Sequence, residues 1–403
     1  EAEAYGAAAA LAAGYTPPRE RLEEAWRNVL FGQFHDILPG SGVIGTREHA
    51  LGLFQETMAA ANTIRKASLE RLAAAIDTSS LAAPEEPGTT SEGAGAGFGA
   101  ESFKVTQVER GRGGTRIVHV FNPLPFEREE AVEIVLWDWR TPVKTVTVRD
   151  ASGREVPSQL IDRGRHRYWD HDYMRLLAYV RVPAGGYATF TVTEGPEDAA
   201  PIRPIDPRRS VPEVFVLEND VLRVEFDPVT AAVRSMIRKS TGEELVDPAR
   251  PAGLFRLAVE DPSRGMKAWV VGRYMSVDSL HRNVRMRRSA FGDVRQSFEL
   301  EIEFGSRSRL TAVVSLDRGS DRLVYDVKCD WQERGSSASG VPQLHFHWPH
   351  AWRSDSYLYD VPFGVVRREP IQDDVPANKF GVAVWPAAGR ASLMIATTNK
   401  YGF

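Results

Sequence analysis

The sequence predicts an α+β multidomain protein: a three-helix-bundle-like domain followed by antiparallel β-sandwich domains. Three observations carry that expectation. At 403 residues the chain exceeds what one hydrophobic core organises. Up to about Asp77 its apolar residues recur at helical three- and four-residue steps, and beyond a Gly-, Ser- and Pro-rich stretch the apolar period changes to two.

The helical domain is expected over residues 1–77. A short Ala-rich helix occupies the start, Glu1 to Ala13. Pro17-Pro18 then opens a second helix, in which Leu22, Ala25, Trp26, Val29 and Leu30 make one apolar stripe that predicts a buried face. After Pro39-Gly40-Ser41-Gly42 a longer helix carries Leu51, Phe54, Met58, Ala61 and Ile64, then Leu69, Leu72 and Ile76.

Residues 78–104 are expected to be a flexible linker. Runs such as Pro84-Glu85-Glu86-Pro87-Gly88 and Gly93-Ala94-Gly95-Ala96-Gly97 hold too little apolar surface to offset the entropy of ordering. A small β-sandwich over 105–200 follows from alternating runs at Arg116 to Phe121, Ala131 to Leu136, Val143 to Val148 and Tyr187 to Val192. The Pro- and Arg-rich segment Pro201 to Pro212 marks the next boundary. A larger antiparallel sandwich, truncated at its C-terminal end, is expected over 210–403, with strands at Phe215 to Glu218, Leu222 to Phe226, Gln296 to Phe304, Leu310 to Leu316 and Leu323 to Trp331.

Composition narrows the function classes. A formal net charge of -4, with both signs spread along the chain, supplies no basic field for nucleic acid. No apolar run approaches the roughly 20 residues of a bilayer span, and no basic segment precedes the Ala-rich start, so neither a membrane nor a signal peptide is expected. The single cysteine, Cys329, permits no internal disulfide and no thiolate cluster. It is expected to be a buried, inert core thiol, and a lone cysteine suits a cytoplasmic location. Assembly into a homo-oligomer is compatible with this composition. The first residue is not Met and the last, Phe403, follows a strand-like run, so both ends are expected to be cuts in a longer chain.

The sharpest local feature is Gly32-Gln33-Phe34-His35-Asp36-Ile37-Leu38-Pro39-Gly40, where a helix runs into a His-Asp pair and is broken by Pro-Gly. On residue chemistry alone, His35 is equally an imidazole placed at a helix C-terminus by the macrodipole and paired with its neighbour.

The longer segment Ala25-Trp26-Arg27-Asn28-Val29-Leu30-Phe31-Gly32-Gln33-Phe34-His35-Asp36-Ile37-Leu38-Pro39-Gly40-Ser41 resembles the hallmark of glycoside hydrolase family 38, the class II α-mannosidases. Further segments fall in the same order as in that family: Val120-Phe121-Asn122-Pro123-Leu124 with Arg128, Leu217-Glu218-Asn219 leading to Leu222 to Pro228, Tyr359-Asp360-Val361-Pro362-Phe363-Gly364 to Arg368, and Asn399-Lys400-Tyr401-Gly402-Phe403. The resemblance implies an active-site zinc with His35 as one ligand, and Asp36 bonding hydroxyls of a bound α-mannoside. A neutral imidazole suits Zn²⁺, and a carboxylate can accept a sugar's hydroxyl hydrogens. Phe34 stands where Golgi and lysosomal members often carry a second His, which resembles bacterial-type members.

The family also implies a retaining mechanism with an Asp nucleophile and a carboxylic acid that protonates the leaving oxygen. Both are expected in an N-terminal barrel marked by a His-x-Asp pair, and none of the nine histidines here is followed two places later by Asp. No catalytic residue is therefore assigned in this chain. The leading expectation is an α-mannosidase present as a fragment that is inactive alone. One alternative is a non-catalytic carbohydrate-binding or structural β module; another is a hydrolase of a mannosylated small molecule.

Three other clusters are weighed against structural roles. His345 and His347 share a face by strand alternation but lack an identifiable third metal ligand. His166 to Tyr173 packs aromatics, acids and imidazoles in the manner of a sugar-stacking surface or a plain loop. Arg368 and Asp374 lie on a run that in the family approaches the active site, yet such acids usually face solvent.

Overall fold

The computed structural model describes residues 1–81, 114–139, 145–166, 171–196, 214–264, 271–387, 390 and 392–403. Three helices precede a wholly antiparallel β region, as the periodicities predict. The chain divides into two compact units, residues 1–205 with 292–295, and residues 206–291 with 296–403. Most of the linker expected at 78–104, the start of the run at Val143, and the boundary segment Pro201 to Pro212 lie outside the described residues.

The first unit opens with α1 (Ala2–Ala13), α2 (Arg19–Gly32) and α3 (Ile44–Ala74). Small side chains set how closely they approach. Ala9 and Ser68 are fully buried, and Gly6 lies against Pro17 and Ser68, so α1 settles onto α3 without bulky intervening groups. Gly32 serves the same purpose between α2 and α3, because a Cβ there would meet the Phe54 ring at 2.4 Å. The apolar stripe of α2 is only half used: Ala25 is buried, whereas Trp26 is 51% and Leu30 61% exposed.

The same unit holds two three-stranded sheets. One has the order β1 (Thr115–Phe121), β6 (Tyr187–Glu194), β3 (Val146–Asp150); the other β2 (Arg128–Trp137), β5 (His171–Val182), β4 (Ser158–His166). Alternation explains their packing: Ile134 and Leu136 from the second sheet and Val148, Phe190 and Val192 from the first face one shared core. The Tyr5 ring of α1 meets Phe121 of β1 edge-on at 6.2 Å, joining helix to sheet.

The described residues of the second unit form four sheets. The first runs β10 (Glu243–Glu244), β9 (Val233–Arg238), β8 (Leu222–Phe226), β7 (Val216–Glu218). The second runs β12 (Tyr274–Ser279), β11 (Leu254–Glu260), β17 (Val341–His347). The third runs β13 (Arg285–Phe291), β14 (Arg295–Phe304), β15 (Ser308–Asp317), β16 (Leu323–Asp330), and the fourth β19 (Gly364–Arg368), β18 (Tyr357–Val361), β20 (Phe380–Ala383), β21 (Leu393–Ala396). Phe226, Phe298, Leu310 and Leu316 anchor one large core to which all four sheets contribute, the last through Ala383, Tyr357 and Leu393.

Cys329 corrects an expectation. It is exposed, not a core thiol. Strand β16 ends its sheet and pairs only with β15; Leu323 and Tyr325 turn inward, and every residue from Asp326 to Asp330 is exposed. Alternation identifies a strand but not how far along it the opposite layer extends. No helix among the described residues is long and apolar enough to cross a membrane.

Candidate functional site

His35 and Asp36 sit in the turns between α2 and α3. Helix α2 stops at Gly32, and the chain then folds on itself through Ile37 N–H to Phe34 O at 2.9 Å and Gly40 N–H to Ile37 O at 3.0 Å. Gly40 takes φ 73°, a left-handed conformation natural to glycine, and releases the chain toward α3. The Asp36 carbonyl accepts from Gly42 N–H at 3.1 Å and from Ser41 Oγ at 3.2 Å, so a backbone clamp holds the pair in place.

The two side chains are neighbours. His35 Nε2 stands 3.4 Å from Asp36 Oδ2, with the side chains 66% and 43% exposed. The Phe34 ring lies 4.3 Å from the imidazole, centroid to centroid, and Ser41 Oγ is 3.5 Å from Asp36 Oδ1. On α2 and the turns after it Trp26, Leu30, Phe31, Phe34 and Leu38 are all more than half exposed. The arrangement is thus an accessible imidazole and carboxylate with an aromatic ring against the imidazole.

As a zinc site this donor set is incomplete. A structural or catalytic zinc takes at least three protein ligands. No group of three His, Cys, Asp or Glu that could hold a metal ion occurs among the described residues. The turn offers one imidazole and an adjacent carboxylate, and no chemical step through a metal follows from these residues alone.

The other clusters resolve differently. His345 and His347 do share a face, but the residue opposite His345 is Arg256 of β11, which repels a cation. Asp374 accepts from the Tyr274 hydroxyl at 2.5 Å, while Arg368 donates to Pro376 O at 2.9 Å and stacks over Tyr359. Of the aromatic run His166 to Tyr173, residues 167–170 lie outside the described residues; Tyr173 donates to Asp162 at 3.2 Å and packs on Trp137.

Several family-like segments prove to be turn braces. Asn122 donates to Phe126 O and Pro183 O at 2.8 and 3.0 Å, and accepts from Leu124 N–H. Asp227 Oδ1 accepts from Val229 and Thr230 N–H, closing an Asx turn, and Asp360 Oδ1 receives Lys379 and Phe380 N–H.

Residues 1–72 match the alpha mannosidase middle domain and residues 217–399 the C-terminal domain of glycosyl hydrolases family 38, and the chain belongs to that family. It is similar to alpha-mannosidase 2C1 of Mus musculus, 21% identical over 94% of this chain and 29% of that protein. Alpha-mannosidase 2C1 of Homo sapiens is 23% identical over 90% and 28%, and the lysosomal alpha-mannosidase of Homo sapiens 31% identical over 33% and 13%. The chain spans less than a third of the length of these relatives.

Proposed function

We propose that this chain is a segment of a zinc-dependent α-mannosidase, a retaining hydrolase of terminal α-linked mannose, in which His35 supplies one zinc ligand and Asp36 binds hydroxyls of the sugar. The observation that carries the reading is the placement of His35 and Asp36 side by side on a braced, exposed turn inside the span that matches the α-mannosidase middle domain. An imidazole that must meet a metal held partly by other residues has to be accessible, and a carboxylate that accepts sugar hydroxyls has to be open to ligand.

The exposed apolar residues of α2 and of the turns that carry the pair support it. Trp26, Leu30, Phe34 and Leu38 form the kind of surface that proteins cover with another domain or a ligand. On this reading the remaining zinc ligands, the nucleophile and the acid belong to a further domain that covers the turn, and the segment alone is inactive. A cytoplasmic location goes with it, because a free, exposed thiol such as Cys329 suits a reducing compartment. The test is the His35→Ala variant of the complete protein, which is expected to lose zinc and mannosidase activity while its β domains stay folded.

A second reading, a non-catalytic carbohydrate-binding or structural module, is favoured for the isolated chain by the incomplete donor set. It predicts a folded 403-residue chain that purifies without stoichiometric zinc. Zinc that resists a chelator and is lost in His35→Ala would exclude it.

A further inference from the structure

The sheet β12–β11–β17 has one face in the large core, through Phe255, Leu257, Leu344 and Phe346. Its other face carries Arg256, Ser279, His345 and His347 beside Leu254, Ala258 and Val277, and pairing fixes who stands beside whom. Arg256 lies opposite Ser279 on β12 and opposite His345 on β17, while His347 stands opposite Leu254, one step diagonally from Arg256.

Arg256 stands on the central strand of this sheet. It forms no ion pair among the described residues, and its Nε–H is shielded from solvent with no hydrogen-bond partner there. Leaving such a donor unmatched is costly, more so on a permanently charged guanidinium. The nearby acids direct their hydrogen bonds elsewhere, Asp247 in an ion pair with Arg250 at 2.9 Å, Asp374 to the neutral Tyr274 hydroxyl at 2.5 Å, and Glu260 to the Gln343 amide at 2.7 Å and the Gly272 N–H; Asp374 and Glu260 keep their charge but form no ion pair with Arg256 among the described residues. His345 Nε2 is 3.1 Å from Gln343 Oε1, and since Gln343 donates its amide to Glu260, that oxygen is the acceptor.

Burial, and then the positive charges of Arg256 and Arg250, push His347 down to about 4, so its imidazole is neutral at pH 7 and offers one N–H. The face therefore presents a guanidinium fork, a hydroxyl and an imidazole N–H, with a second guanidinium, Arg250, near His347. A compact anion with several oxygens matches such a set better than a single carboxylate does.

We propose that Arg256, Ser279 and His347 bind a phosphate-type oxyanion, either free phosphate or the phosphate group of a sugar phosphate. This site is independent of the His35–Asp36 turn.

The test titrates the whole chain with inorganic phosphate at constant ionic strength, following the imidazole signals of His345 and His347 by NMR. Saturable shifts are expected at these two rings, with their titration midpoints moving upward as the anion's charge favours the imidazolium. Arg256→Gln is expected to weaken binding about tenfold or more, Arg256→Lys to restore part of it, and Ser279→Ala to weaken it severalfold. Circular dichroism checks that each variant is folded, and Arg285→Gln, off this face, should bind as the parent does. Tighter binding of a hexose 6-phosphate points to a sugar phosphate; equal binding points to the free anion. Absence of a saturable shift, binding unchanged by Arg256→Gln, or acetate saturating the site as well as phosphate does would overturn the proposal, the last by making Arg256 a partner for a protein carboxylate.

Discussion

The carboxamide of Asn219 donates to the carbonyl of Asp317 at 2.6 Å, tying the turn before β8 to the end of β15. The same group donates to Ser320 O at 2.8 Å and accepts from Val221 and Leu222 N–H at 2.8 and 2.7 Å. An alanine leaves two carbonyls and two amides without this partner in a half-buried turn. Asn219→Ala should destabilise the second unit by ~2 kcal/mol, read as a lower urea midpoint with the slope unchanged. An unchanged midpoint would show that water replaces the side chain fully.

Phe363 is the reverse case, a residue in a conformation it disfavours. Val361 pairs with Gly364, so Pro362 and Phe363 form the two-residue tip of the β18–β19 hairpin, and Phe363 takes φ 67° while fully exposed. A bulky side chain in the left-handed region carries strain that Asn carries far less. Phe363→Asn is expected to raise stability by about 1 kcal/mol, and a loss of stability in urea unfolding would contradict this account of the turn.

His347 gives the second unit a pH dependence of definite sign. Its pKa falls from 6.5 to about 4, with burial the first cause and Arg256 and Arg250 the next. As pH drops below about 6.5 the unfolded chain takes up this proton and the folded one resists it. Stability present at neutral pH is therefore lost between about 6.5 and 4. Urea midpoints across that window should decline less steeply in His347→Gln than in the parent; identical slopes would show that the ring titrates normally.

Cys329 should react with a thiol reagent in the native protein to the same extent as in denaturant, because its strand edge is open. Partial desolvation and the neighbouring Asp330 raise its pKa, so the native rate should climb only at alkaline pH. Protection of the thiol under native conditions would mean that another surface covers β16.

Much of this fold was legible because each element obeys its own period. Ile64 of α3, Ile134 and Leu136 of β2 and Phe226 of β8 are buried where helical or strand spacing places them. What periodicity cannot supply is the layer on the other side. Trp26 and Leu30 sit on a proper amphipathic stripe yet are exposed, and Cys329 continues a proper strand yet faces solvent. The His35–Asp36 turn was legible as a motif only through resemblance, since a helix-end His next to an acid has an ordinary electrostatic explanation. Arg256 and Ser279 gave no signal at all, because Arg256 is 23 residues from Ser279 and 89 from His345 in sequence and only strand register brings them together.

His35 is proposed as a zinc ligand whose partner ligands come from another domain. The most direct measurement is the zinc content and α-mannoside hydrolysis of the complete protein and its His35→Ala variant, each confirmed as folded by circular dichroism. Loss of the metal together with a rate at least a hundredfold lower, by the order of effect of removing a metal's support, is the predicted result. Zinc and activity both retained in His35→Ala would contradict it.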